Sequence, residues 1–390
     1  MAEADGSDSQ GAVDVAFTRR LPKCELHAHL SGSISRECLH EIWVRRKERE
    51  PAFPFEDPLI AMPAGKADYD LKTFFPLFST YIHHLVSDIP SLTAATLSVL
   101  ASFHADGVVY LELRTTPRAI PDAGITEEIY VSTILDAIDA YNASPHLQPP
   151  PQTPNGDPAP ATPLTTHLLL SLDRRTLTAA SAAAITSLAT RFRPRGVLGL
   201  DLSGNPTIPL PPRSTLSPIF QDAKRAGLKL ALHFGEIGPP AIADELETML
   251  SFAPDRVGHA IYVPEPVRQQ LVARRVGVEL CVTCNVVAGM LPAVQGPGAR
   301  PGAAAAAGIA DHHFGAWWRQ EGHPIALCTD DVGVFLSPLS AEYALVAHHF
   351  GLSRADLVAL SRRAIDMIFA GEAEKERLRS LVRHFALSET

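Results

Sequence analysis

Two histidines, His27 and His29, lie two residues apart near the end of an apolar run. If that run is a β-strand, its side chains alternate between two faces, and both imidazoles point the same way. Zinc favours imidazole and carboxylate ligands, and His233 and Asp330 follow two further apolar runs. An isolated His-x-His pair is more often surface or core structure. Four ligand-type residues at separate strand ends instead favour a metal site.

Three neighbouring residues have the chemistry of acids and bases. Glu236 follows His233 by three residues, and a buried carboxylic acid beside a metal can hold a proton and donate it. His259 ends another apolar run and could orient or deprotonate a water on a metal. Asp331 directly follows Asp330, and a cation is the usual means of tolerating two adjacent carboxylates. The structural alternatives are a loop ion pair, a core histidine and an acidic turn.

Short apolar segments that could position these residues alternate with longer amphipathic ones. The predicted strands are residues 23–30, 108–114, 168–173, 197–202, 229–233, 256–259, 278–282 and 324–329. The predicted helices are residues 91–105, 127–141, 179–192, 217–226, 243–251 and 265–275. The strands are almost continuously apolar, which is typical of parallel strands covered on both faces.

This order of elements predicts an α/β fold, a (β/α)8 TIM barrel, because eight strand–helix units suit a closed barrel better than an open sheet. The alternative, a doubly wound sheet, lacks its glycine-rich fingerprint after the first strand. Active sites of barrel enzymes lie at the carboxyl ends of the strands, where the polar residues of this sequence collect.

The chain has 390 residues, of which 46% are hydrophobic, and this is ample for one sizeable core. We expect a disordered tail over residues 1–17 and a single domain over residues 18–385. Proline-rich residues 144–166 and glycine- and alanine-rich residues 295–308 are predicted to be loop insertions.

The net charge of −9 argues against nucleic-acid binding, which needs basic surface. No apolar run is long enough to span a membrane, and the N-terminus does not resemble a signal peptide. The five cysteines are scattered, which favours reduced thiols in a cytoplasmic protein.

Other cysteine and histidine pairs could be taken for metal-binding sites, but their spacing does not support this. Cys281 and Cys284 have no second pair at zinc-site spacing, and the H-x-E and P-C-x-x-C signature of another class of zinc deaminases is absent. The pairs His83–His84 and His312–His313 are both predicted to lie on solvated surface.

Taken together, the polar segments resemble the adenosine/AMP deaminase family. The matching segments are residues 21–30, 201–204, 233–236, 258–259 and 328–331, in the order in which the family has them. Within the family, residues 110–118, 203–206, 311–314 and 329–335 are most similar to the branch that acts on N6-methyl-AMP. The resemblance covers nearly the whole chain and implies a metal-dependent hydrolase of the barrel type.

The resemblance also implies roles for individual residues. One zinc ion would be bound by His27, His29, His233 and Asp330. Glu236 would protonate purine N1, His259 would handle the water, and Asp331 would contact N7 and orient the nucleophile. The remaining substrate contacts would come from His29, His83, Thr115, Thr116, Pro117, Arg118, Asp173 and the backbone of Gly204.

The implied reaction is the hydrolysis of N6-methyl-AMP to IMP and methylamine. The alternatives are an adenosine or AMP deaminase that releases ammonia, a barrel hydrolase of non-purine amides, and a non-catalytic barrel that binds purines. We expect a small purine nucleotide as the ligand, with no nucleic-acid or membrane partner, and a monomeric chain.

Overall fold

Eight parallel β-strands form the centre of the protein and follow one another around it in chain order. The computed structural model describes residues 13–65, 71–144, 162–238, 243–292 and 308–389. The strands are β1 (Lys23–His29), β2 (Val108–Thr115), β3 (Thr165–Asp173), β4 (Val197–Ser203), β5 (Lys229–Phe234), β6 (Arg256–His259), β7 (Gly277–Leu280) and β8 (Ile325–Leu327).

The barrel is closed between β1 and the residues that follow β8. Ala28 and Asp330 form a parallel bridge. The Asp330 N–H donates to the His27 carbonyl at 2.8 Å, and the His29 N–H donates to the Asp330 carbonyl at 3.0 Å. The backbone of a predicted metal ligand therefore completes the ring of strands.

The helices surround the barrel and cover its outer face. They are α1 (Val15–Arg20), α2 (Leu30–Ser33), α3 (Arg36–Arg49), α4 (Pro58–Ala61), α5 (Leu71–Leu77), α6 (His83–Leu85), α7 (Ile89–Ala105), α8 (Glu127–Ala143), α9 (Ala179–Phe192), α10 (Arg213–Arg225), α11 (Ala243–Ser251), α12 (Glu265–Ala273), α13 (Val282–Val287), α14 (Phe314–Arg319), α15 (Val332–Phe335), α16 (Leu339–Phe350), α17 (Arg354–Met367) and α18 (Glu372–Ser388). Every residue of β2 is buried, because helices cover its outer side and the barrel interior encloses the other.

The eight predicted strands and six predicted helices are all confirmed, with ends that differ by a few residues. The largest differences are at β3, which begins at Thr165, and at α10, which begins at Arg213 and continues through Pro218 although this proline has no N–H to donate. The predicted end of β8 at residue 329 is too late, because the Thr329 N–H donates to the Glu25 carboxylate and not to a neighbouring strand.

The predicted N-terminal tail overlaps the first helix. Helix α1 begins at Val15, and Phe17 is buried with its ring centroid 5.4 Å from that of Phe385 in α18. The boundary at residue 17 therefore has to move towards the N-terminus, and residues 1–12 lie outside the described residues. Most of both predicted insertions, residues 145–161 and 293–307, also lie outside them.

The segment that holds His83 contains an irregular helical turn. A π-helical turn, Phe78–Ile82, separates α5 from α6, and Pro76 lies inside α5. A π turn adds one residue to the ordinary helical repeat, so it changes the direction in which the following side chains point. Within the described ranges no single helix is long and apolar enough to cross a membrane. Thr73–Leu85 and Ile89–Ala105 reach that length only as a pair bent by 118°.

Buried ion pairs link the strands inside the barrel. Arg256 of β6 donates to Glu112 of β2 and, at 2.6 Å, to Glu279 of β7. Arg114 of β2 donates to Glu279 and, at 3.1 Å, to Asp201 of β4. Burial by itself would raise the pKa of Glu279, but the charges of Arg114 and Arg256 outweigh it and hold that pKa well below its usual value.

We predict that Arg256→Met lowers the free energy of unfolding by about 3–5 kcal/mol, because it leaves buried Glu112 without its cation and removes one of the two arginines that pair with Glu279. Urea denaturation of the metal-free protein measures this. The control is Arg379→Met, which removes an exposed ion pair with Asp366 and should cost no more than about 1 kcal/mol. Equal losses in the two variants would contradict a dominant role for the buried pairs.

Candidate metal centre and active site

Four side chains meet at the carboxyl ends of β1, β5 and β8. His27 Nε2 lies 3.1 Å from His233 Nε2, and His29 Nε2 lies 3.0 Å from the same atom. Asp330 Oδ1 lies 3.4 Å from both His27 Nε2 and His29 Nε2. The strands thus bring together the four residues that the sequence analysis selected as ligands.

Carboxylates behind two of the histidines determine which imidazole nitrogen faces the centre. His27 Nδ1 lies 2.7 Å from Glu279, and His233 Nδ1 lies 2.9 Å from Asp201. An ionised carboxylate only accepts hydrogen bonds, so both Nδ1 atoms carry the proton and the Nε2 lone pairs face each other. Two lone pairs 3.1 Å apart repel, and a cation between them removes that repulsion.

The Asp330 carboxylate also fits a bound cation. Its Oδ1 atom is buried and has no hydrogen-bond partner among the described residues. Its other oxygen, Oδ2, accepts from the Cys284 thiol at 2.9 Å. A buried carboxylate oxygen without a donor is costly unless a cation replaces the lost water. The three imidazoles and this oxygen form the donor set that zinc uses in catalytic sites.

Burial keeps most of the imidazoles neutral, which a metal ligand requires. It lowers the pKa of His27, and it lowers the pKa of His29 to about 3. His233 differs, because the charge of Asp201 raises its pKa even though burial opposes this. A metal ion on His233 Nε2 would compete with that second proton for the same lone pair.

His259 lies beside this group. Together with His27, His233 and Asp330 it forms a cluster whose potential ligand atoms all lie within 4.8 Å of one another. A second such cluster consists of His29, Asp201 and His233. His259 Nε2 is 3.8 Å from Asp330 Oδ2, whereas His29 Nε2 is 3.4 Å from Asp330 Oδ1. These distances favour His29 as the third histidine ligand. His259 then lies beside the ligand set and is not part of it.

The two carboxylic acids predicted to act on the substrate are buried at the same place. Glu236 Oε1 is 3.8 Å from His259 Nε2, and Glu236 Oε2 has no hydrogen-bond partner in the described part of the chain. Asp331 Oδ1 also lacks such a partner. A Cβ atom at Gly32 would lie 1.5 Å from this oxygen, so only glycine leaves room for the Asp331 carboxylate. Burial and the neighbouring charge of Asp330 raise the pKa of Asp331.

The backbone is strained at two of these residues. His259 has φ 62° and Asp330 has φ 61°, in the left-handed region that residues other than glycine seldom occupy. Such conformations cost about 1–3 kcal/mol each and persist where the surrounding structure enforces them, often at functional sites.

The residues predicted to contact the ribose phosphate differ in their placement. The Arg118 guanidinium donates to the Val86 carbonyl at 3.0 Å and lies over the Tyr130 ring. Burial, followed by the charges of Arg118 and Arg175, lowers the pKa of His83 to about 3. Arg175, which the sequence analysis did not select, therefore adds a second cation on this side.

Five other predicted substrate contacts are held or enclosed by the structure around them. Gly204 has φ 97°, and a Cβ atom there would lie 2.5 Å from Asp173 Oδ1, so glycine is required at this turn. Asp173 accepts from the Arg175 N–H at 2.9 Å. The Thr115 hydroxyl is buried 3.2 Å from the Tyr130 hydroxyl, which favours a packing role. Pro117 is buried and Thr116 is half-buried.

Several functional side chains were missed, and one prediction was wrong. Asp201, Glu279 and Asn285 contact the histidines, but their spacing in the sequence gives no signal of it. The pair His312–His313 was predicted to lie on the surface. In the structure His312 is only 3% exposed, because the loop before α14 folds inwards against α13.

Comparisons with known proteins agree with this geometry. The family profile described as adenosine deaminase matches residues 22–385. The chain is 36% identical to an N6-mAMP deaminase of Arabidopsis thaliana, over 93% of this chain and 96% of that protein. It is 33% identical to an N6-methyl-AMP deaminase of Homo sapiens, over 97% of each chain.

This chain belongs to the adenosine deaminase family. The crystal structure of Arabidopsis ADAL complexed with IMP superimposes with a TM-score of 0.80 and 33% identity, covering 96% of this chain and 99% of that one. Membership in the adenosine deaminase family, together with the buried histidine and aspartate cluster, makes the chain a metal-dependent hydrolytic deaminase.

We predict that Asp330→Ala loses its bound metal, because it removes the one carboxylate among the four predicted ligands. Metal analysis of the purified variant should give well below one ion per chain. The matched control is Asp122→Ala, which changes an exposed aspartate outside the site and should keep its metal. A full complement of metal in Asp330→Ala would contradict the ligand set.

Proposed function

We propose that this chain is a zinc-dependent deaminase that hydrolyses N6-methyl-AMP to IMP and methylamine. The observation that carries the proposal is the meeting of three histidines and an Asp330 oxygen, without a hydrogen-bond partner in the described ranges, beside Glu236 and Asp331. The identities to proteins named N6-methyl-AMP deaminase, over nearly the whole chain, support the choice of substrate.

Zinc is proposed because its usual ligands in catalytic sites are the nitrogen and oxygen donors found here. We assign His27, His29, His233 and Asp330 as its ligands. When bound, it would lower the pKa of a coordinated water and so supply a nucleophile at neutral pH. Glu279 and Asp201 would keep two of the imidazoles in the required tautomer.

The protein's own groups would do the proton transfers. Glu236, whose Oε2 has no hydrogen-bond partner among the residues that the structure describes, would give a proton to purine N1, which makes C6 more electrophilic. Water then forms a bond to C6, and the bond from C6 to the methylamino nitrogen breaks with protonation of that nitrogen. Asp331 would contact N7 and orient the water, His259 would hydrogen-bond to the same water, and Gly204 would bind the base through its backbone.

Recognition of a 5′-phosphate is proposed for the side of the site that holds His83, Thr116, Arg118 and Arg175. A phosphate needs charge-assisted hydrogen bonds, and Arg118 and Arg175 are the cations that lower the pKa of His83 there. Pro117 and Asp173 would shape this side. Thr115, which points towards Tyr130, would act only through packing. The monomeric state and the cytoplasmic location stay predictions.

The experiment that tests the proposal is a product assay on the purified, zinc-loaded chain. N6-methyl-AMP, AMP and adenosine are each supplied, and methylamine, ammonia and the 6-oxopurine are measured. We expect the highest kcat/KM with N6-methyl-AMP. A preference for adenosine would indicate a nucleoside deaminase, and no release from any 6-aminopurine would favour a binding protein or a different hydrolase.

We predict that Glu236→Gln keeps zinc but lowers kcat about 10²–10⁴-fold, because glutamine cannot donate a proton to N1. Turnover of N6-methyl-AMP and metal content are measured on the same sample. Unchanged turnover would exclude Glu236 as the proton donor.

We predict that Arg118→Ala raises KM for N6-methyl-AMP by about tenfold or more, since a charge-assisted hydrogen bond contributes roughly 1.5–3 kcal/mol. KM for N6-methyladenosine, which has no phosphate, should change little. Arg191→Ala is the control, because Arg191 pairs with Glu128 on the outer helices. An equal effect on nucleotide and nucleoside would argue against a phosphate contact.

A further inference from the structure

A line of buried side chains runs from His259 away from the metal centre. His259 Nδ1 lies 2.9 Å from Asn285 Oδ1, and Asn285 Nδ2 lies 3.0 Å from His312 Nε2, as the structure places this amide. The Phe314 N–H then donates to His312 Nδ1 at 3.0 Å. All three side chains of the line are almost fully buried.

The Phe314 N–H, at the end of this line, determines which nitrogen of each imidazole along it carries a proton. The Phe314 N–H can only donate, so His312 Nδ1 is an acceptor and carries no hydrogen. Neutral imidazole has one N–H, so the proton of His312 is on Nε2 and points at Asn285. Burial lowers the pKa of His312 well below its usual value, which agrees with the neutral form.

As the amide is placed, its NH2 group and the Nε2 proton of His312 would be two donors facing each other. The oxygen and nitrogen of an amide are assigned from the hydrogen bonds they make, so this contact requires the Asn285 amide to be turned over, with its oxygen facing His312. In that orientation the NH2 group takes the position of the oxygen, 2.9 Å from His259 Nδ1, and donates to it. His259 Nδ1 is therefore an acceptor, and neutral His259 carries its proton on Nε2. That nitrogen faces two carboxylates, Glu236 and Asp330, each at 3.8 Å.

His313 holds the same residue by its backbone. His313 Nε2 lies 2.6 Å from the His259 carbonyl oxygen, which can only accept a hydrogen bond. This contact is made at the residue whose φ of 62° is strained. The rings of His312 and His313 stack with centroids 4.1 Å apart. These two adjacent residues therefore hold His259 at both its side chain, through Asn285, and its backbone.

We propose that Asn285 and His312 are positioning residues that lock His259 in the tautomer with its proton on Nε2. His259 then enters the proposed deamination, on which this inference rests, as a hydrogen-bond donor to the attacking water. The proton that the water loses passes to a carboxylate and not to this imidazole. The distance of 3.8 Å to Glu236 and Asp330 is too long for direct hydrogen bonds and leaves the Nε2 proton free for the water.

The direct test is the protonation pattern of His259 in the full-length, zinc-loaded chain with ¹⁵N-labelled histidine. Long-range ¹H–¹⁵N spectra separate protonated from bare ring nitrogens, and a His259→Gln spectrum identifies the signals of His259. We expect a protonated Nε2 and a bare Nδ1. A protonated Nδ1 with a bare Nε2 would overturn the proposal.

The variant that reverses the pattern is Asn285→Asp, because a carboxylate only accepts and would draw a proton onto His259 Nδ1. We expect the spectrum to show that proton and the variant to keep its zinc. We expect kcat to fall by about tenfold to 10⁴-fold, where the larger loss is the one that a wrong histidine tautomer causes in serine proteases. KM should change less than about threefold, since the substrate contacts in the ground state are kept. An unchanged pattern and kcat would contradict a positioning role.

His312 offers a matched pair of variants. In His312→Gln the terminal amide can still donate to Asn285, whereas the ring of His312→Phe cannot. We expect the glutamine variant to keep the His259 pattern and most of kcat, and the phenylalanine variant to lose about tenfold or more of kcat. Equal losses in both variants, with the His259 pattern unchanged, would indicate packing alone and overturn the proposal.

His104→Phe is the control for the loss of a histidine's hydrogen bonds far from the site. His104 contacts the Tyr141 hydroxyl at 3.0 Å and the Thr162 carbonyl at 2.8 Å, so its replacement should affect stability but not kcat. The spectra need no substrate. The spectra can therefore confirm the position of the His259 proton even if the proposed substrate is wrong. The product assay can likewise confirm the substrate even if the proposed position of that proton is wrong.

Discussion

The buried charge inside the barrel is the constraint on which the rest of the site depends. Two carboxylates, Asp201 and Glu279, lie behind two histidines, and Arg114 lies between those carboxylates. Their positions require the protons of His27 and His233 to be on Nδ1, so the Nε2 lone pairs converge. Converging lone pairs beside a carboxylate oxygen without a partner are stable only with a cation among them.

The barrel supplies this arrangement because its strands end at one face. Strand β1 contributes two histidines, β5 and β6 contribute one each, and the turn after β8 contributes Asp330 and Asp331. The Asp330 backbone also closes the barrel through its hydrogen bonds to β1, so one ligand is held by the framework itself. The strained φ angles of His259 and Asp330 show that the surroundings, and not local preference, hold these two residues.

The histidines of the site differ in the partner that lies behind each ring. His27 and His233 have carboxylates at Nδ1 and present a lone pair, which suits a metal. His259 has an amide at Nδ1, whose orientation depends on His312, and by our inference presents a proton. Chemically identical side chains within 5 Å of one another thus obtain different roles from what lies behind them.

The sequence by itself determined the architecture and selected the residues that we propose carry the chemistry. Almost continuously apolar runs, such as residues 168–172 of β3, indicate strands covered on both faces. The position of His27, His233 and Asp330 at strand ends indicates a common site, because parallel strands of a barrel end at one face. The type of each of these residues can be read from the sequence, because folding does not change it.

Only the tertiary structure decided which groups lie behind the histidines and whether a pair such as His312–His313 is buried. Asp201, Glu279 and Asn285 are far from their partners along the chain, and their contacts arise from strand order and from a loop that folds onto α13. Tautomers depend on such contacts because a ring nitrogen keeps or loses its proton according to the atom that faces it. The spacing of residues in the sequence does not show which atom faces a given ring nitrogen.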